Sequence, residues 1–245
     1  MAIVFLFYDR LYVFEIREGN YTEMPRIATA CILLFAAAGI DFLDGFLARV
    51  LKAQSEIGKE LDSLADMITF GVVPGLMMFQ LMARAFTRSA DAFSSPVALH
   101  ALGFLLTAFA ALRLARFNTT ESRPGFTGLP TPAMALLVAS LPMIALTDTT
   151  GIGAQLDNKW VLIGITVLVS LLMVSSIPLL SLKIRSLKFS EYPWQIGGFL
   201  SGWALFFLCI FVLNLGWLTI PICFIYYLIL SLVHAQMGNQ DPKTV

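Results

Sequence analysis

Seven stretches of this sequence are apolar for long enough to cross a bilayer: roughly residues 27–46, 62–86, 96–112, 131–147, 160–182, 196–213 and 216–235. Each approaches the ~20 residues that span about 30 Å of hydrocarbon. Lipid offers no partner to an open backbone N–H or C=O, so helices are the natural form for such runs. The chain is 58% hydrophobic and 13% charged, where an ordinary soluble domain has about 25% charged residues. One globular core cannot hide that much apolar surface. The expected fold is therefore all-α, a polytopic bundle of about seven full spanning helices with a short partial helix before them. That partial helix is "MAIVFLFYDR". Its apolar run covers about 10 Å at ~1.5 Å per residue, a third of the hydrocarbon core. It lacks a basic start and does not read as a signal peptide. It reads either as the second half of a spanning helix or as a genuinely short one. No internal repeat or low-complexity tract divides the chain. The expected organisation is a core over residues 1–190, followed by a pair of membrane helices over 191–245.

Net charge is zero, so no nucleic-acid partner is expected. Cys31, Cys209 and Cys223 sit in apolar runs without metal spacing and read as buried spectators. His100 and His234 are isolated near predicted helix ends. With the spans above, ten basic residues fall on one face and six on the other, of 16 in all. The richer face, which includes Arg49, Arg113, Arg116, Arg123 and Lys183, is expected to be cytoplasmic. The expected location is the cell inner membrane, with this face inward.

The same face carries an unusual set of acids. Asp41 and Asp44 are three apart at the end of one spanning run, and Asp62 and Asp66 are four apart at the start of the next. Each pair shares one face of a helix. About fifteen residues connect the two runs, so the helices are expected to be antiparallel neighbours with four carboxylates at one depth. Unpaired, such a cluster is costly, because each charge resists desolvation and all four repel. Divalent cations remove both problems. Hard oxygen donors suit magnesium, manganese or calcium, and the lack of His or Cys argues against zinc. The plain alternative is a set of solvated helix-end carboxylates. For Glu56 and Glu60 that alternative is preferred, as solvated linker residues. Gly45 and Ala48 are small and would admit another group close to the backbone, and Arg49 is a fixed cation suited to phosphate. Two metals, an arginine and a small-residue cleft describe a diphosphate site. Gly58 reads equally as a simple turn.

The pattern Asp41-x-x-Asp44-Gly45-x-x-Ala48-Arg49, eight residues, Gly58, three residues, Asp62, three residues, Asp66 resembles the signature of the CDP-alcohol phosphatidyltransferase family. All eight fixed positions are present. The resemblance implies an integral-membrane enzyme that moves a phosphatidyl group from a CDP-linked lipid to an alcohol and releases CMP by direct attack. It implies two Mg²⁺ or Mn²⁺ ions on Asp41, Asp44, Asp62 and Asp66, with Asp66 also the general base. It implies that Gly45, Ala48, Arg49 and Gly58 lie at the nucleotide and diphosphate pocket. The segments "ALRLARFN" (111–118), "FTGLPTPAMA" (126–135), "KELDSLADMITFGVVPG" and "MVSSIPLLSLK" resemble the phosphatidylserine synthase branch of the family. The likeness covers most of residues 27 to 190. The Pro-Asn-containing half-helix with which family members usually begin is absent from residues 1–25. The implied substrates are CDP-diacylglycerol and L-serine; membrane lipids and a second copy in a homodimer are the other expected partners.

Arg113 and Arg116 share a helix face. They read either as positive-inside anchors or, with Asn118, as acceptor and phosphate ligands. The loop bearing Pro124, Gly125, Gly128, Pro130 and Pro132 is turn-rich and apt to fold over a site. Lys183, Arg185 and Lys188 suit anionic headgroups. Ser175, Ser176 and Pro178 predict a kink inside a helix. Three rival functions remain. One is the same chemistry with glycerol phosphate, inositol phosphate or choline as acceptor. Another is a divalent-cation transporter, which should carry its acids near the bilayer midplane. The last is a noncatalytic scaffold, for which the intact motif has no use.

Overall fold

The computed structural model of the chain describes residues 14–17, 20–23, 26–51, 55–88, 97–119, 126–147, 150–179 and 193–238. The expected N-terminal partial helix lies outside them, as do Pro124, Gly125, Arg123, Lys183, Arg185 and Lys188. A short antiparallel ladder comes first, β1 (Phe14–Arg17) with β2 (Asn20–Glu23), Phe14 opposite Glu23. Helices then dominate: α1 (Arg26–Val50), α2 (Glu56–Asp66), a π-helical turn (Met67–Val72) and α3 (Val73–Arg88). The short α4 (Val97–His100) leads through a 3-10 turn (Ala101–Phe104) into α5 (Leu105–Thr119). After β3 (Phe126–Thr127) come α6 (Thr131–Leu146), a 3-10 turn (Gly153–Asp157), α7 (Lys159–Val174) and β4 (Pro178–Leu179). The chain closes with α8 (Pro193–Phe207), a second π-helical turn (Leu208–Val212), a 3-10 turn (Gly216–Leu218) and α9 (Thr219–Gly238).

Four helical stretches are long and apolar enough to cross a membrane: Ile27–Ala48, Glu60–Phe86, Ala98–Arg116 and Gly216–Ala235. Three shorter apolar helices, Thr131–Leu146, Lys159–Val174 and Gly197–Val212, match the other three apolar runs. Outward faces are rich in large apolar side chains, among them Phe42, Leu168, Leu200, Phe211 and Ile229. A water-facing surface would not carry so many, whereas hydrocarbon solvates them. The architecture is that of a helical membrane protein, with two short ladders that hydropathy did not anticipate.

α6 is the axis of the bundle. It carries no charge, and it is buried around most of its circumference, from Thr131 through Met134, Leu137, Val138 and Leu141 to Ile144. A helix apolar on all sides belongs inside. α1, α3 and α9 pack on it, and α5 packs on α7. The α3–α5 contact is built from glycine. A Cβ at Gly103 would fall 2.6 Å from the Phe79 nitrogen, and one at Gly75 would collide with the Thr107 hydroxyl. Small residues let backbones approach this closely, the usual device of helix association in lipid. At the end away from the aspartates, Arg84 Nε lies 3.6 Å from Asp157 Oδ1, and the Lys159 ammonium stands 5.1 Å over the Phe86 ring.

Two expectations are corrected. The run 160–182 is not one helix with a kink: α7 stops at Val174, and Ser175 (ψ 149°) is extended. Pro178 has no N–H and pushes the residue before it out of the helical region. Freed from the helix, the segment pairs instead, Phe126 opposite Leu179 and Thr127 opposite Pro178. Gly128 closes this junction at φ +72°, where a Cβ would sit 2.5 Å from the Met173 carbonyl oxygen, so only glycine fits. Second, the linker between the acidic runs is shorter than fifteen residues. α1 extends to Val50 and α2 begins at Glu56, so Glu60 is an exposed helical residue.

Candidate active site

α2 begins where its sequence supplies a cap. Ser55 is the N-cap, and its Oγ accepts the Gly58 N–H at 3.0 Å. A Cβ at Gly58 would meet that Oγ at 2.9 Å, so glycine lets the cap close tightly. Gly58 thus belongs to the turn that starts α2. From this start, Asp62 and Asp66 come at one and two turns and point toward α1.

Asp41 on α1 meets them there. One carboxylate oxygen from each of Asp41, Asp62 and Asp66 lies within 4.8 Å of the others. Asp41 and Asp66 are half-buried and Asp62 is exposed. Asp44, one turn along α1, is exposed and stands beside this trio rather than within it. Gly45 is exposed, with open space where its Cβ would be, and Ala48 is partly covered. The backbone of Arg49 lies in α1, but its side chain lies outside the described part of the structure. The same holds for Asn118 at the end of α5.

The arginines separate. Arg113 is half-buried within Coulombic reach of Asp66, and its Nη1 donates to Thr131 Oγ1 at 2.9 Å. Its Nε is buried with no hydrogen-bond partner among the described residues. Arg116 is exposed, and its Nη1 donates to the Val174 carbonyl at 3.2 Å, at the open end of α7. Sequence reasoning missed Thr131, the buried residue that holds Arg113. It stands between Pro130 and Pro132 at the first turn of α6, so the proline pair marks a helix start but not the arginine it serves.

A trio of carboxylates at this separation repels itself unless a cation intervenes. Among the described residues no lysine or arginine forms a salt bridge with any of them. Oxygen donors alone, with no thiolate or imidazole, fit a hard divalent ion. The fold and this site define a class: a helical membrane protein with a cluster of carboxylates near one end of its helices. Comparison with known proteins narrows it. The CDP-alcohol phosphatidyltransferase family profile matches residues 1–172. A CDP-diacylglycerol–serine O-phosphatidyltransferase of Helicobacter pylori (strain J99) is 34% identical over 179 residues, 72% of this chain and 68% of that one. Its counterpart in Methanocaldococcus jannaschii is 31% identical over 228 residues, 87% of this chain and 94% of that one. That of Bacillus subtilis is 32% identical over 146 residues, 54% of this chain and 73% of that one. The chain belongs to the CDP-alcohol phosphatidyltransferase family and is a membrane-embedded transferase of phospholipid synthesis.

Proposed function

We propose that this chain transfers a phosphatidyl group from CDP-diacylglycerol to L-serine, giving phosphatidylserine and CMP. The observation that carries the reading is the meeting of Asp41, Asp62 and Asp66 within 4.8 Å from two helices. The activity named for the relatives supports serine as the acceptor. Asp41, Asp44, Asp62 and Asp66 would hold two Mg²⁺ or Mn²⁺ ions, whose charge offsets that of the donor diphosphate. Gly45 and Ala48 leave room beside the backbone of α1 for the nucleotide, with Gly58 at the same end, and Arg49 supplies a cation for the diphosphate. Arg113, held by Thr131, offers a fixed guanidinium to the serine carboxylate, and Arg116 and Asn118 complete that side. Asp66 takes the proton from the serine hydroxyl as the seryl oxygen bonds to phosphorus. The bond from phosphorus to the CMP oxygen breaks, and CMP leaves with that electron pair. All seven apolar helices cross the inner membrane, and the aspartate end faces the cytoplasm. Residues 1–190 form the catalytic core, and 191–245 add the C-terminal pair.

The test is direct. Membranes containing this protein receive CDP-diacylglycerol, Mn²⁺ and one labelled acceptor at a time: serine, glycerol 3-phosphate, inositol phosphate or choline. Labelled phosphatidylserine is expected with serine, lost on chelation and restored by Mg²⁺ or Mn²⁺ but not by Zn²⁺. Product from another acceptor and none from serine overturns the acceptor. Full activity after exhaustive chelation overturns the metal role.

A further inference from the structure

The helix that carries Asp62 and Asp66 does not run into the bundle with uniform pitch. Between Asp66 and α3 lies the π-helical turn Met67–Val72, in which Val73 N–H donates to Ile68, five residues back. Pro74 accounts for it, since its ring has no N–H for the Phe70 carbonyl and crowds that carbonyl. A π turn inserts one extra residue, which rotates α3 by about 100° relative to α2.

That rotation sets where the acids point. α3 buries Pro74, Met78, Leu81 and Ala85 as one stripe against the interior. Counted along an uninterrupted α-helix, Asp66 would stand about 90° to the side of that stripe. With one extra residue, Asp66 falls within about 10° of it, and Asp62 lies one turn away. The π turn therefore turns both carboxylates toward the side where Asp41 on α1 meets them.

A π turn is a poor hydrogen-bonding arrangement and persists only where neighbours hold it. The neighbour here is α5. Thr107 Oγ1 donates to the Gly71 carbonyl at 3.0 Å, across 36 positions of sequence. A Cβ on Gly71 would meet the Ala110 Cβ at 3.2 Å, so α5 lies tight against the turn. The carbonyl it holds lies inside the π turn, next to that of Phe70, so the hydroxyl from α5 grips the turn itself.

We propose that Thr107 is a positioning residue for the aspartate site: its hydroxyl holds the π turn in the phase that brings Asp62 and Asp66 to Asp41. The inference rests on the reading of these aspartates as metal ligands and base. Thr107→Val keeps the shape and removes the donor, whereas Thr107→Ser keeps the donor. Purified wild type and variants are compared for Mn²⁺ binding by electron paramagnetic resonance, for kcat, for KM and for melting temperature. Thr107→Val is expected to weaken Mn²⁺ binding and lower kcat, each about fivefold, with KM for serine and for CDP-diacylglycerol within about twofold. Thr107→Ser is expected to restore both. Should Thr107→Val not accumulate, Thr107→Ala, which demands no space, is expected to show the same loss. Wild-type Mn²⁺ binding and kcat in the donor-free variants overturn the proposal, even if the melting temperature falls, and leave Thr107 a packing residue. Wild-type protein that binds no Mn²⁺, or an active Asp66→Asn variant, overturns the aspartate reading instead, independently of any change at Thr107.

Discussion

Asp66 closes α2 one residue before the π turn, half-buried against Asp41 and Asp62. Asp66→Asn keeps the size of the side chain and removes the proton acceptor. Turnover is expected to fall by 10²-fold or more, with CDP-diacylglycerol binding largely spared; a rate above about a tenth of wild type would sink the base role. Arg113 and Arg116 invite a paired test. Arg113→Lys keeps the charge but loses the planar fork that can grip a carboxylate in two places. The serine KM is expected to rise about 10- to 150-fold while the donor KM holds, the cost of one charge-assisted hydrogen bond. Arg116→Lys should do less to serine, because Arg116 is exposed and bonded to the end of α7. A donor KM that moves in place of the serine KM would reassign Arg113 to the phosphate. The aspartates were legible in sequence because their spacing repeats the helical period. The difference between the two arginines was not, since residues three apart share a face whatever that face meets.

At the scale of elements, glycine decides how closely α3 and α5 approach. Gly103→Ala places a methyl 2.6 Å from the Phe79 backbone nitrogen and 3.0 Å from the Gly75 carbonyl. Backbone cannot swing aside, so the variant should lose about 1–3 kcal/mol, read as a lower melting temperature in detergent. Gly202→Ala, with nothing within 4 Å of its Cβ, should melt like wild type. Equal melting temperatures for both would show that the α3–α5 contact relaxes freely. Hydropathy located these helices but not their interruptions. The π turn after Asp66 and the end of α7 at Val174 both sit in continuous apolar sequence, where a window average sees no change. Prolines 74 and 178 were the available signals. One re-phases a helix and the other ends one, and which occurs depends on what lies nearby to satisfy the freed carbonyls.

For the whole molecule, the proposed topology puts the aspartate end and the Arg84–Asp157 end on opposite sides of a membrane. Cysteines at two exposed positions test it, because the native Cys31 and Cys209 are buried and Cys223 is half-buried. Glu60→Cys is expected to react with an impermeant maleimide only in inside-out vesicles, and Gln155→Cys only in right-side-out ones. Labelling of both from one side would remove the proposed topology. Sequence by itself determined that the chain is a helical membrane protein and which carboxylates share a helix face. Both are local properties, one of run length against bilayer thickness and the other of spacing along a single helix. Tertiary structure alone decided what grips the π turn after Asp66, which arginine faces Asp66, and what meets the open end of α7. Each of those contacts is a single hydrogen bond between residues far apart in sequence, Thr107 to Gly71, Arg113 to Thr131 and Arg116 to Val174, and no periodicity within one helix encodes its partner across the bundle.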